Sequence, residues 1–314
     1  MPDLAGVVTH GLRREFRVKD GPARVAVLGL DLQVRPGELV CLLGPNGAGK
    51  TTVVRMLAGM LAPTAGSAVV GGFDVVSQRR GAALATGSSL GGDLGLYPRL
   101  TALQNLTFAG LMYGMRGAAL AARATVLLGQ VGLADRAAEP VRTFSRGMKQ
   151  RLHLARALVH DPAVLILDEP SAGLDPQSAA AMRDLVATLS ADGRCVLLTT
   201  HDMREAEALS DRVVLLKDGA VYAEATPAEL RVQAAGRLGH MIEIVWAQAE
   251  NGQDCADCPG VLEATADRGV TRLRVRDGAA AVQWLLATFG ALAASVSVTP
   301  PTLEQVFLEM ARAS

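Results

Sequence analysis

Residues 38–52 read ELVCLLGPNGAGKTT. The apolar run 38–43 has the length of a buried strand and stops at a glycine-rich turn that leads into a helix-like segment. Gly44, Gly49, Lys50 and Thr51 fit the spacing G-x-x-x-x-G-K-[ST]. Glycines let the backbone curl until several N–H groups point inward at phosphate oxygens, and the following helix turns its positive end on the same anion. Gly44, Pro45, Asn46, Gly47, Ala48 and Gly49 would form the cradle, and Thr51 and Thr52 would open the helix. Lys50 would reach the β- and γ-phosphates, with the Thr51 hydroxyl a candidate Mg2+ ligand. The bland alternative is an ordinary strand–turn–helix. Against it, the match follows a predicted strand and opens a predicted helix, which is the context a phosphate loop requires.

Outward from this loop, two more apolar runs end in reactive groups. VLILDEP at 164–170 delivers Asp168, placed to hold Mg2+ through water, and Glu169, placed to polarise an attacking water. Adjacent carboxylates past a strand can also be solvated loop charges; the phosphate loop upstream is what favours hydrolysis. CVLLTT at 195–200 leads to His201, a candidate hydrogen-bond partner of the γ-phosphate. A lone histidine is more often structural, and only its place at a third strand end singles it out. Continuous apolar runs fit parallel strands covered on both faces, and an open α/β sheet keeps its site just past their C-terminal ends.

The spacing predicts a further strand over 25–34 (VAVLGLDLQV) and a mostly helical insert from about 101 to 160. Past Val221 the pattern changes. MIEIVW (241–246), VLEATA (261–266), VTRLRV (270–275) and SVSV (295–298) read as strands, with helices over 280–289 and 302–311, the latter opened by Thr302. The expected organisation is an α/β domain over 1–230 and a small α+β domain over 231–314.

Composition bounds the reading. Half of the 314 residues are hydrophobic, enough for a substantial core, which excludes global disorder. Basic and acidic residues number 31 each, so no bulk positive field advertises nucleic-acid binding. Four cysteines do not make a disulfide scaffold, and CADCPG, with Cys255 and Cys258, lacks a second pair of ligands, so both read as loop cysteines. The N-terminal stretch lacks a basic start followed by an apolar segment, so no secretory signal is expected. Residues 278–303 carry no charge, but they are Ala-rich and broken by Gly290, Pro300 and Pro301, which argues against a membrane span.

FSRGMKQR (144–151), SAGLDP (171–176) and TTHD (199–202) complete an ordered set with the phosphate loop and VLILDEP. With these, residues 5–230 resemble the nucleotide-binding subunit of an ABC transporter. The resemblance implies a P-loop NTPase fold: a RecA-like core, a helical subdomain at about 93–160 and an N-terminal antiparallel β part. It also implies two subunits sandwiching two ATP molecules, each between one phosphate loop and the other subunit's signature segment. Ser145 and the backbone at Gly147 would then donate to the γ-phosphate across the dimer. Asp175 would contact the partner near its phosphate loop. Phe16 lies where the family carries an aromatic that stacks on adenine, although a single Phe is as often a packing residue. Two departures stand out: Arg146 and Met148 replace a Gly and the Gln of the common signature LSGGQ, and Gly92 with Asp93 stands where the family's loop Gln is expected.

PPTLEQVFLEM (300–310) resembles the end of the C-terminal domain in daunorubicin-resistance-type export ATPases. The resemblance therefore implies an ATP-hydrolysing exporter subunit at the cytoplasmic face of a bacterial membrane, working with a separately encoded permease, with drug or antibiotic as candidate cargo. Three other readings compete with it: a soluble ABC-type ATPase on ribosome or nucleic acid, an importer subunit, and a small-acceptor P-loop kinase. The single cassette and the absence of heptads between Lys50 and Ser145 argue against the first. The kinase leaves the signature and His201 unexplained.

Overall fold

A computed structural model describes residues 6–17, 22–90, 95–248, 255 and 257–312. The chain divides into two compact units, one running to Glu224 and one from Ala225.

In the first unit, β1 (Val7–Phe16), β2 (Arg24–Val34), β4 (Ala65–Val70) and β5 (Phe73–Asp74) form a sheet in the order β2-β1-β4-β5, antiparallel throughout. A second sheet joins β3 (Leu39–Leu43), β6 (Thr86–Ser89), β7 (Val164–Asp168), β8 (Cys195–Thr200), β9 (Arg212–Lys217) and β10 (Ala220–Ala225) in the order β10-β9-β3-β8-β7-β6. Its pairs from β9 through β6 are parallel. Every residue of β3, β7 and β8 is buried, as their unbroken apolar runs require of strands covered on both faces. Burial of Cys195 there pushes its thiol up to about 12, so it serves as a small core residue.

Seven α-helices are described in this unit: α1 (Lys50–Leu57), α2 (Arg79–Ala85), α3 (Ala102–Met112), α4 (Gly117–Gln130), α5 (Arg146–Ala157), α6 (Pro176–Ala191) and α7 (Met203–Leu209). The expected helical insert is α3 to α5. Thr101 and Gln104 close a capping box at the head of α3. Leu106, Leu120, Leu127 and Leu152 join the helices in one apolar cluster with the face of the parallel sheet that carries Leu165 and Leu198.

The second unit holds α8 (Pro227–Leu238), β11 (His240–Trp246), β12 (Val261–Asp267), β13 (Val270–Val275), α9 (Gly278–Phe289), β14 (Ala293–Thr299) and α10 (Leu303–Arg312). The division falls ahead of the expected 230/231 because Thr226 and Glu229 cap α8 at its start and α8 contacts α10. The four strands pair antiparallel in the order β12-β13-β11-β14. One face buries Ile242, Ile244, Trp246 and Leu273 against Leu285 of α9. Trp246 Nε1 donates to Thr271 Oγ1 at 2.8 Å, and the Phe289 ring stands edge-on to both Trp246 and Trp284. The other face carries the exposed pairs Arg272–Glu243 and Arg274–Glu263. Cys255 and Cys258 are unbridged and sit in a turn, yet their side chains join this small core. The uncharged stretch 278–303 becomes α9, β14 and the first residue of α10, and no described helix is long and apolar enough to cross a membrane.

Candidate active site

The central strand β3 ends at Leu43, and the chain turns through 44–49 into α1. Two glycines make that turn possible. A Cβ on Gly44 would lie 2.3 Å from the Leu216 carbonyl oxygen, and one on Gly49 would lie 2.4 Å from that of Ala26, with φ at +105° besides. Ala48 is buried and its N–H closes the turn onto the Pro45 carbonyl at 3.2 Å, while Pro45, Asn46 and Gly47 stay exposed. The Lys50 ammonium is buried and donates to the carbonyls of Gly44 (2.6 Å) and Pro45 (3.1 Å), back into the loop. Burial lowers its pKa, and the carboxylates of Glu169 and Asp168 oppose that shift.

A cavity of about 330 Å³ opens on this loop, with Phe16, Arg24, Asn46, Lys50, Thr51 and Glu169 in its wall. Gly47, Gly49 and Thr52 line it too. Phe16 is 37% exposed and borders the cavity rather than the core, with the Arg14 guanidinium 4.7 Å from its ring centre.

The carboxylates arrive on β7. Asp168 is buried, and the hydroxyl of Thr199, its partner in the β7–β8 register, donates to its Oδ1. The same hydroxyl accepts from the Glu169 N–H at 3.2 Å, and the Thr199 carbonyl accepts from it at 3.0 Å. These bonds hold Glu169 at φ +49°, a left-handed conformation uncommon for a residue with a side chain and costing about 1–2 kcal/mol. Glu169 lines the cavity, and its Oε1 lies 3.2 Å from Nδ1 of the exposed His201, which borders a separate cavity together with Ser171 and Asp202. Behind them, the Ser171 hydroxyl donates to the buried Glu205 of α7, tying the loop after Glu169 to the helix after His201.

The remaining expected residues lie elsewhere. Ser145 is the exposed N-cap of α5, its hydroxyl accepting from the Met148 N–H at 3.2 Å. Asp175 is the exposed N-cap of α6, accepting from the Ser178 N–H at 2.9 Å; Ser178's hydrogen bonds hold its carboxyl below the usual range. Gly147 packs on Ser178, and the Arg146 guanidinium lies on Gly173, where a Cβ would stand 2.4 Å from it. None of these borders the cavity. Gly92 and Asp93 lie outside the described residues. Thr199 and Arg24 received no role from the sequence: TTHD contains the threonine, but its use depends on strand register, and no motif marks Arg24.

A profile of the ABC transporter family matches residues 27–172. The doxorubicin resistance ATP-binding protein DrrA of Mycobacterium tuberculosis is 41% identical over 236 residues, which cover 74% of this chain and 69% of that protein. The daunorubicin resistance ATP-binding protein DrrA3 of Streptomyces coeruleorubidus is 39% identical across 91% of this chain and 90% of its own. Nod factor export ATP-binding protein I of Cupriavidus metallidurans is 37% identical across 91% and 92%. Among solved structures, a dimeric ATP-binding cassette in a post-hydrolysis state with ADP and phosphate superposes with TM-score 0.64 at 26% identity, over 70% of this chain and 98% of that one.

Proposed function

The chain belongs to the ABC transporter family of ATP-binding proteins, and we propose that it is the ATP-hydrolysing subunit of an exporter and drives a separately encoded membrane permease. One observation carries the reading: Glu169 stands at the end of a buried strand and borders the phosphate-loop cavity, with His201 beside it. A carboxylate there can take a proton from water as the water oxygen bonds to the γ-phosphorus and ADP leaves. Nδ1 of His201 orients that carboxylate, which leaves Nε2 for the transferred phosphoryl group.

Phe16 would stack on adenine, and residues 44–52 would hold the phosphates. Thr51 and Asp168 are hard oxygen donors suited to Mg2+, which takes few protein ligands and keeps water and phosphate oxygens. Asp168 fits that role because Thr199 occupies one of its oxygens and fixes its orientation. The ion would neutralise charge on the β- and γ-phosphates.

Ser145, Gly147 and Asp175 would serve a second copy of the chain, each signature segment closing over the other copy's nucleotide. The dimeric cassette among the structural neighbours supports this arrangement. The relatives named for drug resistance and Nod factor export favour export over import, with drug or antibiotic as the cargo class. The chain would sit at the cytoplasmic face of a bacterial membrane, and residues from 225 onward would form an accessory domain.

The test is Glu169→Gln. The variant should bind ATP normally, lose turnover by orders of magnitude, and with ATP co-purify with a multi-span protein from detergent-solubilised membranes. Near-normal hydrolysis would remove Glu169 from the role of base. Ribosomal or DNA-associated partners without a membrane protein would overturn the transporter reading.

A further inference from the structure

The wall of the cavity holds a second cation that no motif announces. Arg24 opens β2, and the β1–β2 ladder ends on the pair Phe16–Arg24, so the two side chains share one face of the sheet. Ala26, two residues on, shares that face as well, and its carbonyl lies directly under Gly49. Phe16, Arg24 and Ala26 all line the cavity that opens on the phosphate loop. Nη2 of Arg24 lies 3.9 Å from the point where a Gly47 Cβ would stand, within contact distance of the loop's exposed bend. An arginine at a strand end is ordinarily a solvated charge. Here it borders the same cavity as Lys50, Thr51 and Glu169, and among the described residues it makes no ion pair or hydrogen bond.

We propose that Arg24 is a nucleotide-binding residue whose guanidinium contacts the α- and β-phosphates of bound ATP or ADP from the open side of the loop. Its place between Phe16, at the base end, and Gly47 sets it on the proximal phosphates. Lys50 serves the β- and γ-phosphates from within the loop, and Asp168 and Glu169 stand at the γ end. A planar fork suits phosphate oxygens, and because the site is open its attraction is screened by salt. The inference rests on the nucleotide occupying the phosphate loop, as in the function proposed above.

The experiment is calorimetric titration of the full chain and of Arg24→Gln and Arg24→Lys with ATP and with ADP, at low and high salt. The glutamine variant should bind both nucleotides about tenfold more weakly, the equivalent of one charge-assisted hydrogen bond, with a shallower salt dependence. The lysine variant should recover part of the loss. Unchanged affinities for both nucleotides would overturn the proposal, as would a loss confined to ATP, which would set the guanidinium at the γ-phosphate. Melting temperatures without nucleotide should match across the three proteins; a drop in the variants alone would assign Arg24 to the fold instead. An unsubstituted chain that bound neither nucleotide would defeat the reading of the site as a whole.

Discussion

The two sets of residues that resemble the halves of an ABC nucleotide site differ in shape. Phe16, the phosphate loop and Glu169 converge on a cavity of about 330 Å³ within one subunit. Ser145 and Asp175 stand exposed at helix starts, each already spending an oxygen on its own helix, and neither lines that cavity. A concave site with a buried lysine can bind an anion alone. A surface of two capped helix starts can only complete a site that something else brings to it. Within this subunit the second set is a lid without a box.

That contrast can be broken or sharpened by substitution. The largest effect is expected at the concave half. Lys50→Ala should weaken ATP binding by about a hundredfold, from the loss of two charge-assisted hydrogen bonds of about 1.5 kcal/mol each. Titration of the isolated subunit measures it, and an unchanged affinity would mean that the cavity does not hold phosphate.

At the exposed half, stability and ligation should separate. Ser145→Ala removes a cap and should cost about 1 kcal/mol of stability. Ser145→Asp keeps the cap but places a carboxylate where the partner's phosphate must come, so in the Glu169→Gln background it should melt normally and fail to dimerise with ATP. A normal ATP-dependent dimer, read by size-exclusion chromatography, would take Ser145 out of the interface.

The smallest effect concerns pH. The Asp175 carboxyl titrates below its ordinary value of 3.8 because Ser178 donates to it. A group with a depressed folded pKa stabilises above its unfolded value, and that stability is lost as pH falls through the folded one. Asp175→Asn keeps a good cap without the charge. It should leave the melting temperature at neutral pH nearly unchanged and flatten the acid limb below about pH 4.

Three of the parallel strands, β3, β7 and β8, were legible because burial on both faces demands unbroken apolar runs, and 39–43, 164–168 and 195–200 have them. The same strand ends led to Asp168, Glu169 and His201, and the glycine spacing after the first of them led to Lys50. β1, with its mixed pattern VVTHGLRREF, gave no such signal, because an antiparallel strand that is not covered on both faces is buried residue by residue. Neither did β4, β5 or β6, and short strands set by their neighbours carry little pattern of their own. Thr199 and Arg24 were illegible for a related reason. Each matters through what a different strand places opposite it, Asp168 in one case and Phe16 in the other, and register is a property of two segments together.

The aromatic packing of the second unit has an optical consequence. Both tryptophans of the chain, Trp246 and Trp284, lie beyond Ala225, and all three tyrosines, Tyr97, Tyr113 and Tyr222, lie before it. Trp246 is buried and hydrogen-bonded, so its emission is sensitive to any loosening of the small core. Red-edge excitation therefore reads the second unit without a label. A tryptophan shift on adding ATP would report a change in the second unit.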